Sequence, residues 1–277
     1  MFKIIKNSMV WGVVASLTIM LAGCAAPAAP TASPAPADAQ KNAVAAPVEL
    51  TISAAASITD ALKEIQKSYE SSHPNIKVNF NFGASGALQQ QIEQGAPADL
   101  FLSAAAKNMK DLVDKQLIDS AKQKKLLTNE LVAVIPTGGK TPIASVADLS
   151  KADVKHVAIG IPESVPAGNY AKEALTNAKL WDSLQSKLVQ GKDVRQVLQY
   201  VETGNADAGF VYKTDAMTSQ QVKVAFAVDP KSYTAVEYPI GVVKATKHGK
   251  EAEEFYTYLQ SKPALDVFIK YGFTAIP

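Results

Sequence analysis

From Glu49 almost to the C-terminus, short apolar runs of β type alternate with helical patterns, and few architectures accept that rhythm. Strand candidates are Glu49–Ala54, Lys77–Phe82, Leu100–Ser103, Leu131–Ile135, Val157–Ile161, Ala208–Tyr212, Lys223–Ala227 and Tyr238–Lys244. Helical patterns fall at Ile58–Ser71, Ala87–Gln94, Ala106–Asp114, Val146–Leu149, Gly168–Ala178, Trp181–Leu184, Val194–Glu202 and Glu251–Ser261, with a last turn at Leu265–Lys270. A parallel strand pair needs a helical crossover, so this spacing predicts an α/β chain with mainly parallel sheets. Two strands stand apart. Leu131–Ile135 leaves a polar stretch and runs into Pro136 and two glycines, and Tyr238–Lys244 comes late and leads to the C-terminal helix. If both cross between lobes, residues 48–129 plus 236–277 form the first lobe and 130–235 the second.

The front of the chain is different. Lys3 and Lys6 precede an apolar stretch, Met9 to Ala22, that is too short for a membrane span of roughly 20 residues. It ends in Leu21-Ala22-Gly23-Cys24, which matches the bacterial lipobox, and Cys24 is the chain's sole cysteine. Residues 1–23 therefore read as a lipoprotein signal peptide, with Cys24 acylated as the mature N-terminus. Residues 24–47 are Ala- and Pro-rich, cannot bury enough apolar surface to fold, and are expected to form a semi-extended tether. The expected location is the cell envelope, in the periplasm or on the outer face of the cytoplasmic membrane. Lys and Arg number 28 against 26 Asp and Glu, and loss of Lys3 and Lys6 with the signal balances them at 26 each. That balance gives no basic face for nucleic acid, and membrane attachment would come from the lipid alone.

Five segments place small or hydroxyl-bearing residues where a helix begins or a buried strand ends: 54–62, 82–88, 164–175, 191–202 and 208–216. Helix starts carry unpaired backbone N–H groups and the positive end of the macrodipole, so they suit an anion. Ser57 reads as the N-cap of the first helix. Ser85 sits between Gly83 and Gly86 in a turn before a helix from Ala87. Pro166 opens a helix whose Ala167 and Gly168 N–H groups are free. Asp193 caps the helix from Val194, and Tyr212 ends a buried strand with a neutral donor on a rigid arm. Taken singly each is a weak signal: the Ser57 and Ser85 segments read equally well as an ordinary cap and a tight turn, and a strand-end tyrosine usually serves packing and a solvent hydrogen bond. Together they outline a site for a small oxyanion held by neutral donors.

The segments AAASITDAL, GASGALQQQIEQGAPADLFLSA, VPAGNYAKEAL, DVRQVLQYVETGNADAGFVYKTDA and the closing YGF resemble, in order and spacing, the periplasmic molybdate-binding proteins of ABC transporters over nearly all of 49–277. The resemblance implies a two-lobed type II periplasmic-binding-protein fold with a hinge of two crossing strands. It implies oxyanion donors from Ser57 and Ser85 (hydroxyl and N–H), the Ala167 and Val194 amides and the Tyr212 hydroxyl. It implies molybdate or tungstate as ligand, no cofactor, an ABC permease with its ATPase as partner, and a monomer. Asn169 and Asp60 depart from the family pattern, at the rim of the pocket.

Other chemistries fare worse. Thr137–Thr141 resembles the tail of a P-loop, but the motif's first glycine would fall on Val134 and Pro142 breaks the following helix. His73, His156 and His248 are scattered, so no metal-cation site is expected. Ser57 and Ser85 lack a nucleophile elbow or an S-x-x-K pair, and Asp99, Glu163, Asp193 and Asp207 read as solvated or capping groups, so no enzyme is expected. The alternatives left open are a receptor for sulfate or another oxyanion, a surface-anchored enzyme on the same fold, and a structural lipoprotein.

Overall fold

The computed structural model describes residues 47–276. The expected signal peptide, Cys24 and all but the last residue of the tether lie outside the described residues.

The chain runs β1 (Val48–Ala55), α1 (Thr59–Ser72), β2 (Ile76–Gly83), α2 (Ser85–Glu93), β3 (Leu100–Leu102), α3 (Ala106–Asp114) and β4 (Ile118–Asn129). It continues with β5 (Leu131–Pro136), β6 (Val157–Gly160), α4 (Pro166–Asn177), α5 (Trp181–Leu184), β7 (Leu188–Gly191), α6 (Val194–Glu202), β8 (Ala208–Tyr212), α7 (Lys213–Ala216) and β9 (Val222–Ala227). It closes with β10 (Val236–Val243), α8 (Gly249–Leu259), α9 (Lys262–Lys270) and β11 (Thr274–Ala275). One sheet has the order β11-β4-β10-β3-β1-β2 and the other β7-β6-β8-β5-β9. The fold is therefore α/β with two lobes, each built on one sheet, and the chain passes twice between them.

The sheets are less parallel than the alternation predicts. β1 pairs β2 and β3 in parallel, and β6 pairs β7 and β8 in parallel. By contrast β10 is antiparallel to β3 and β4, and β5 is antiparallel to β8 and β9. The antiparallel pairs arise where the chain changes sheets. The alternation misses the short strands β7 and β11 and the long β4, a 12-residue strand that runs into β5 with Glu130 alone between them. Ala121, Lys122, Lys124 and Lys125 are exposed on it. β11 pairs β4 only at Leu127 and Thr128, so most of β4 is an edge, where lysines discourage pairing with another chain. The first crossing thus lies at Asn129–Leu131, not along a single strand from Leu131.

Local packing follows the apolar spacing. α1 buries Ala61, Leu62, Ile65 and Tyr69 on one face, and each fully buried Leu or Ile side chain contributes about 1.5–3 kcal/mol. α4 sits hard against the end of β6. A Cβ on Gly168 would lie 2.0 Å from the Gly160 carbonyl oxygen, so glycine alone lets the helix start there. That close approach fixes the position of Ala167, the residue before it. Among the described residues no helix is long and apolar enough to cross a membrane.

Candidate functional site

The five expected residues occur at the carboxyl ends of parallel strands, where open α/β sheets place their ligands. Ser57 follows β1, Ser85 follows β2, Ala167 lies beyond β6, Val194 beyond β7, and Tyr212 is the last residue of β8. The structure brings all five to the wall of one small cavity, of about 10 Å³, between the two lobes. Ala55, Ala84, Ala104 and Pro166 complete much of the lining, and among the described residues no charged side chain is part of it. Ser57, Ser85 and Tyr212 are all buried.

Their local settings correct two expectations. Ser57 is not an N-cap: it lies in a short 3-10 turn, Ala56–Ile58, and Ile58 holds the cap position of α1. Ser85 is not in a turn before the helix but is the first residue of α2, with Ala84 as the extended N-cap. Pro166 and Ala167 open α4, and Asp193 caps α6 as expected, its Oδ1 accepting from the Gln196 N–H at 2.9 Å. Ser85, Ala167 and Val194 therefore each stand in a first helical turn, where the N–H has no carbonyl one turn back.

The Ser85 and Tyr212 hydroxyls are arranged so that their donor side is left over. The Ala104 N–H donates to Ser85 Oγ at 2.9 Å, which uses an acceptor position and leaves the Ser85 proton to point elsewhere. Ser57 Oγ lies 2.8 Å from the Tyr238 hydroxyl. The Tyr212 hydroxyl is fully buried and has no hydrogen-bond partner among the described residues. Burial pushes its pKa well above the ordinary phenol value, with the Tyr238 and Tyr170 rings adding to the effect, so the group stays a protonated donor. An orphaned buried hydroxyl costs about 1–3 kcal/mol unless something accepts from it.

Direct bonds join the lobes around the cavity. The Gly86 N–H donates to the Ser164 carbonyl at 2.9 Å, and the Tyr170 hydroxyl donates to the Ala104 carbonyl at 3.2 Å. On the opposite rim Arg195 reaches across: its Nη2 donates to Asp60 Oδ2 at 2.7 Å and to the Ser57 carbonyl at 3.3 Å. Its Nε lies 2.7 Å from Oδ1 of Asp215, a fully buried carboxylate whose Oδ2 accepts from the Tyr212 N–H. Burial raises the Asp215 pKa to about 6 against the pull of Arg195. The sequence alone does not disclose this network. A Y-x-x-D capping pattern at 212–215 is its one local trace in the sequence, since the Arg195 contacts are long-range.

A larger groove shares Val165 and Pro166 with the cavity but is lined by Asp111, Glu163, Glu173 and Glu237 against one cation, Lys107, which pairs with Asp111, so its net charge would repel an anion. Of the other carboxylates, Asp99 is not solvated. It is buried, and it accepts from the Thr51 N–H and from Thr246 Oγ1. Asp207 accepts from the Lys155 and His156 N–H groups. Among the described residues no three His, Cys, Asp or Glu side chains gather as a metal-cation site.

Residues 50–274 match the family model described as bacterial extracellular solute-binding protein. The chain is 51% identical over 264 residues, 95% of its length and 96% of the relative's, to a Bacillus subtilis protein provisionally described as the ABC transporter substrate-binding lipoprotein YvgL. It is 41% identical to the molybdate-binding protein ModA of Haemophilus influenzae, covering 83% of this chain and 92% of that one. Among solved structures, the substrate-binding domain of a provisionally described molybdenum ABC transporter from Clostridium difficile superposes with a TM-score of 0.64 at 43% identity. That match covers 83% of this chain and 100% of the other.

Proposed function

Since the chain belongs to the bacterial extracellular solute-binding protein family, we propose that it is the receptor of an ABC importer for molybdate, and for tungstate, which it delivers to a membrane permease. The observation that carries this reading is the buried Tyr212 hydroxyl, without a partner among the described residues, on a residue that lines a cavity to which those residues bring no charge. In the proposed complex the oxyanion accepts from the Ser57 and Ser85 hydroxyl and N–H groups, the Ala167 and Val194 amides and the Tyr212 hydroxyl. Residues 48–129 plus 236–277 act as one lobe and 130–235 as the other, closing on the ligand. Cys24 anchors the exported chain by its lipid, and the chain is a monomeric carrier rather than an enzyme.

A tetrahedral dianion with four acceptor oxygens and no proton matches such a lining. Hydrogen phosphate brings a donor, and a donor-only wall leaves that proton unpaired, a cost of about 1–3 kcal/mol. Sulfate has the same hydrogen-bonding character as molybdate, so the cavity must separate them by size. The relatives named for molybdate favour the larger ion.

Calorimetric titration of the detergent-solubilised chain with molybdate, tungstate, sulfate and phosphate tests this directly. Tight binding of the first two alone is expected, and heat from sulfate alone would overturn the ligand assignment. Tyr212→Phe separates binding from folding. It should weaken molybdate binding by about 1.5–3 kcal/mol, the range for a hydrogen bond to a charged group. The ligand-free melting temperature should hold or rise, because an orphaned hydroxyl is removed. A variant with unaltered affinity would take Tyr212 out of the site.

A further inference from the structure

We propose that Tyr238 is a positioning residue of the anion site: it forces the Ser57 hydroxyl to act as a donor toward the cavity and ties that donor to the hinge through Asn129. The proposal rests on the receptor reading above and adds to it a residue that does not line the cavity.

The direction of the relay follows by elimination. Asn129 Oδ1 accepts from the Glu130 N–H at 2.9 Å, which settles which end of the amide faces the site. Its Nδ2 therefore donates, to Thr214 Oγ1 at 2.8 Å and to the Tyr238 oxygen at 3.3 Å. The Tyr238 phenol is fully buried, and its remaining hydrogen-bond neighbour among the described residues is Ser57 Oγ at 2.8 Å. An amide NH₂ cannot accept, so the phenol proton goes to Ser57. Burial, with Asp215 nearby, holds the phenol protonated across the physiological range. Ser57 Oγ is thus occupied as an acceptor, and its own proton is left to face the cavity.

The placement gives the relay a second consequence. Asn129 ends β4 and Tyr238 lies in β10, the two strands at which the chain passes between lobes, and Thr214 belongs to the second lobe. The bonds that orient Ser57 therefore span the hinge, and lobe closure and donor orientation are set by the same atoms.

A double-mutant cycle in molybdate affinity tests this on the detergent-solubilised chain, with Ser57→Ala, Tyr238→Phe and the pair together. Tyr238→Phe is expected to weaken binding about tenfold, the lower end for a hydrogen bond to a charged group. In the Ser57→Ala background it should change affinity by less than about twofold, because its effect runs through Ser57. Losses that multiply in the double variant would mean a packing role and overturn the proposal, as would a Tyr238→Phe affinity equal to that of the unaltered chain. If Tyr238→Phe does not fold, Asn129→Ala replaces it in the same cycle, with the same expected disappearance of the effect beside Ser57→Ala. An unaltered chain that binds no oxyanion overturns the receptor reading and this proposal together, whereas one that binds normally with multiplying losses overturns this proposal alone.

Discussion

Gly86→Ala is expected to weaken molybdate binding about a hundredfold while the ligand-free chain melts at the same temperature or slightly higher. The three atoms nearest a Cβ at Gly86 all belong to Ser164 in the other lobe: its carbonyl oxygen at 2.7 Å, its Cα at 2.9 Å and its carbonyl carbon at 3.2 Å. These are backbone atoms and cannot rotate away as a side chain would. The lobes must therefore stay apart by a few tenths of an ångström, or the strand ends must shift. Overpacking of this kind costs about 1–3 kcal/mol, and the 2.9 Å bond from the Gly86 N–H to Ser164 is lengthened as well. About 3 kcal/mol is roughly a hundredfold in affinity. If the lobes part in the absence of ligand, the methyl is clear of Ser164, and alanine is the better helix former in α2. Calorimetry and differential scanning of the same sample separate the two effects. An affinity within threefold of the unaltered chain would show that closure does not bring Gly86 and Ser164 together.

Arg195→Ala is expected to destabilise the fold by about 3 kcal/mol at pH 8 and by much less at pH 5. Asp215 is fully buried, and apart from Arg195 its charge is met by the Tyr212 N–H. Removing one partner of a buried pair leaves the other charge stranded, which costs about 3–5 kcal/mol; Arg195 is partly exposed, so the lower end applies. The sign of the pH dependence follows from the raised pKa. Asp215 titrates at about 6 in the folded chain against an ordinary 3.8, so its contribution to stability is greatest below about pH 4 and is lost as the pH rises through 6. Without Arg195 the folded pKa climbs further, and the loss extends to higher pH. Below the folded pKa both chains carry a neutral Asp215, and the difference shrinks toward the lost packing of one side chain. Chemical denaturation at the two pH values measures this. A deficit independent of pH would show that the stranded carboxylate is not its source.

The regular part of the fold was legible because strand interiors such as Ala208–Tyr212 are continuous apolar runs and α1 repeats its apolar residues at helical spacing. β4 was not, because its exposed lysines break the alternation that marks a half-buried strand. The residues at the cavity wall were legible as helix starts and a strand end, and the resemblance gave them a common purpose. What supports them was hidden. Tyr238 is 181 residues from Ser57, and Arg195 is 135 from Asp60, distances over which no local pattern operates. Ser57 lies at the expected turn without being a cap, since its hydroxyl is engaged by that distant tyrosine rather than by the helix it precedes.

The position of β10 carries a consequence for the order in which the molecule can assemble. β10 lies between β3 and β4 inside the first sheet, yet it is the last long strand of the chain. The segment 131–227 holds every strand of the second sheet and is contiguous. During synthesis and export the second lobe can therefore complete its sheet while the first still lacks an interior strand. Until residue 243 emerges, β3 and β4 expose unpaired edges to whatever else is at hand. The half that is made first is the half that folds last.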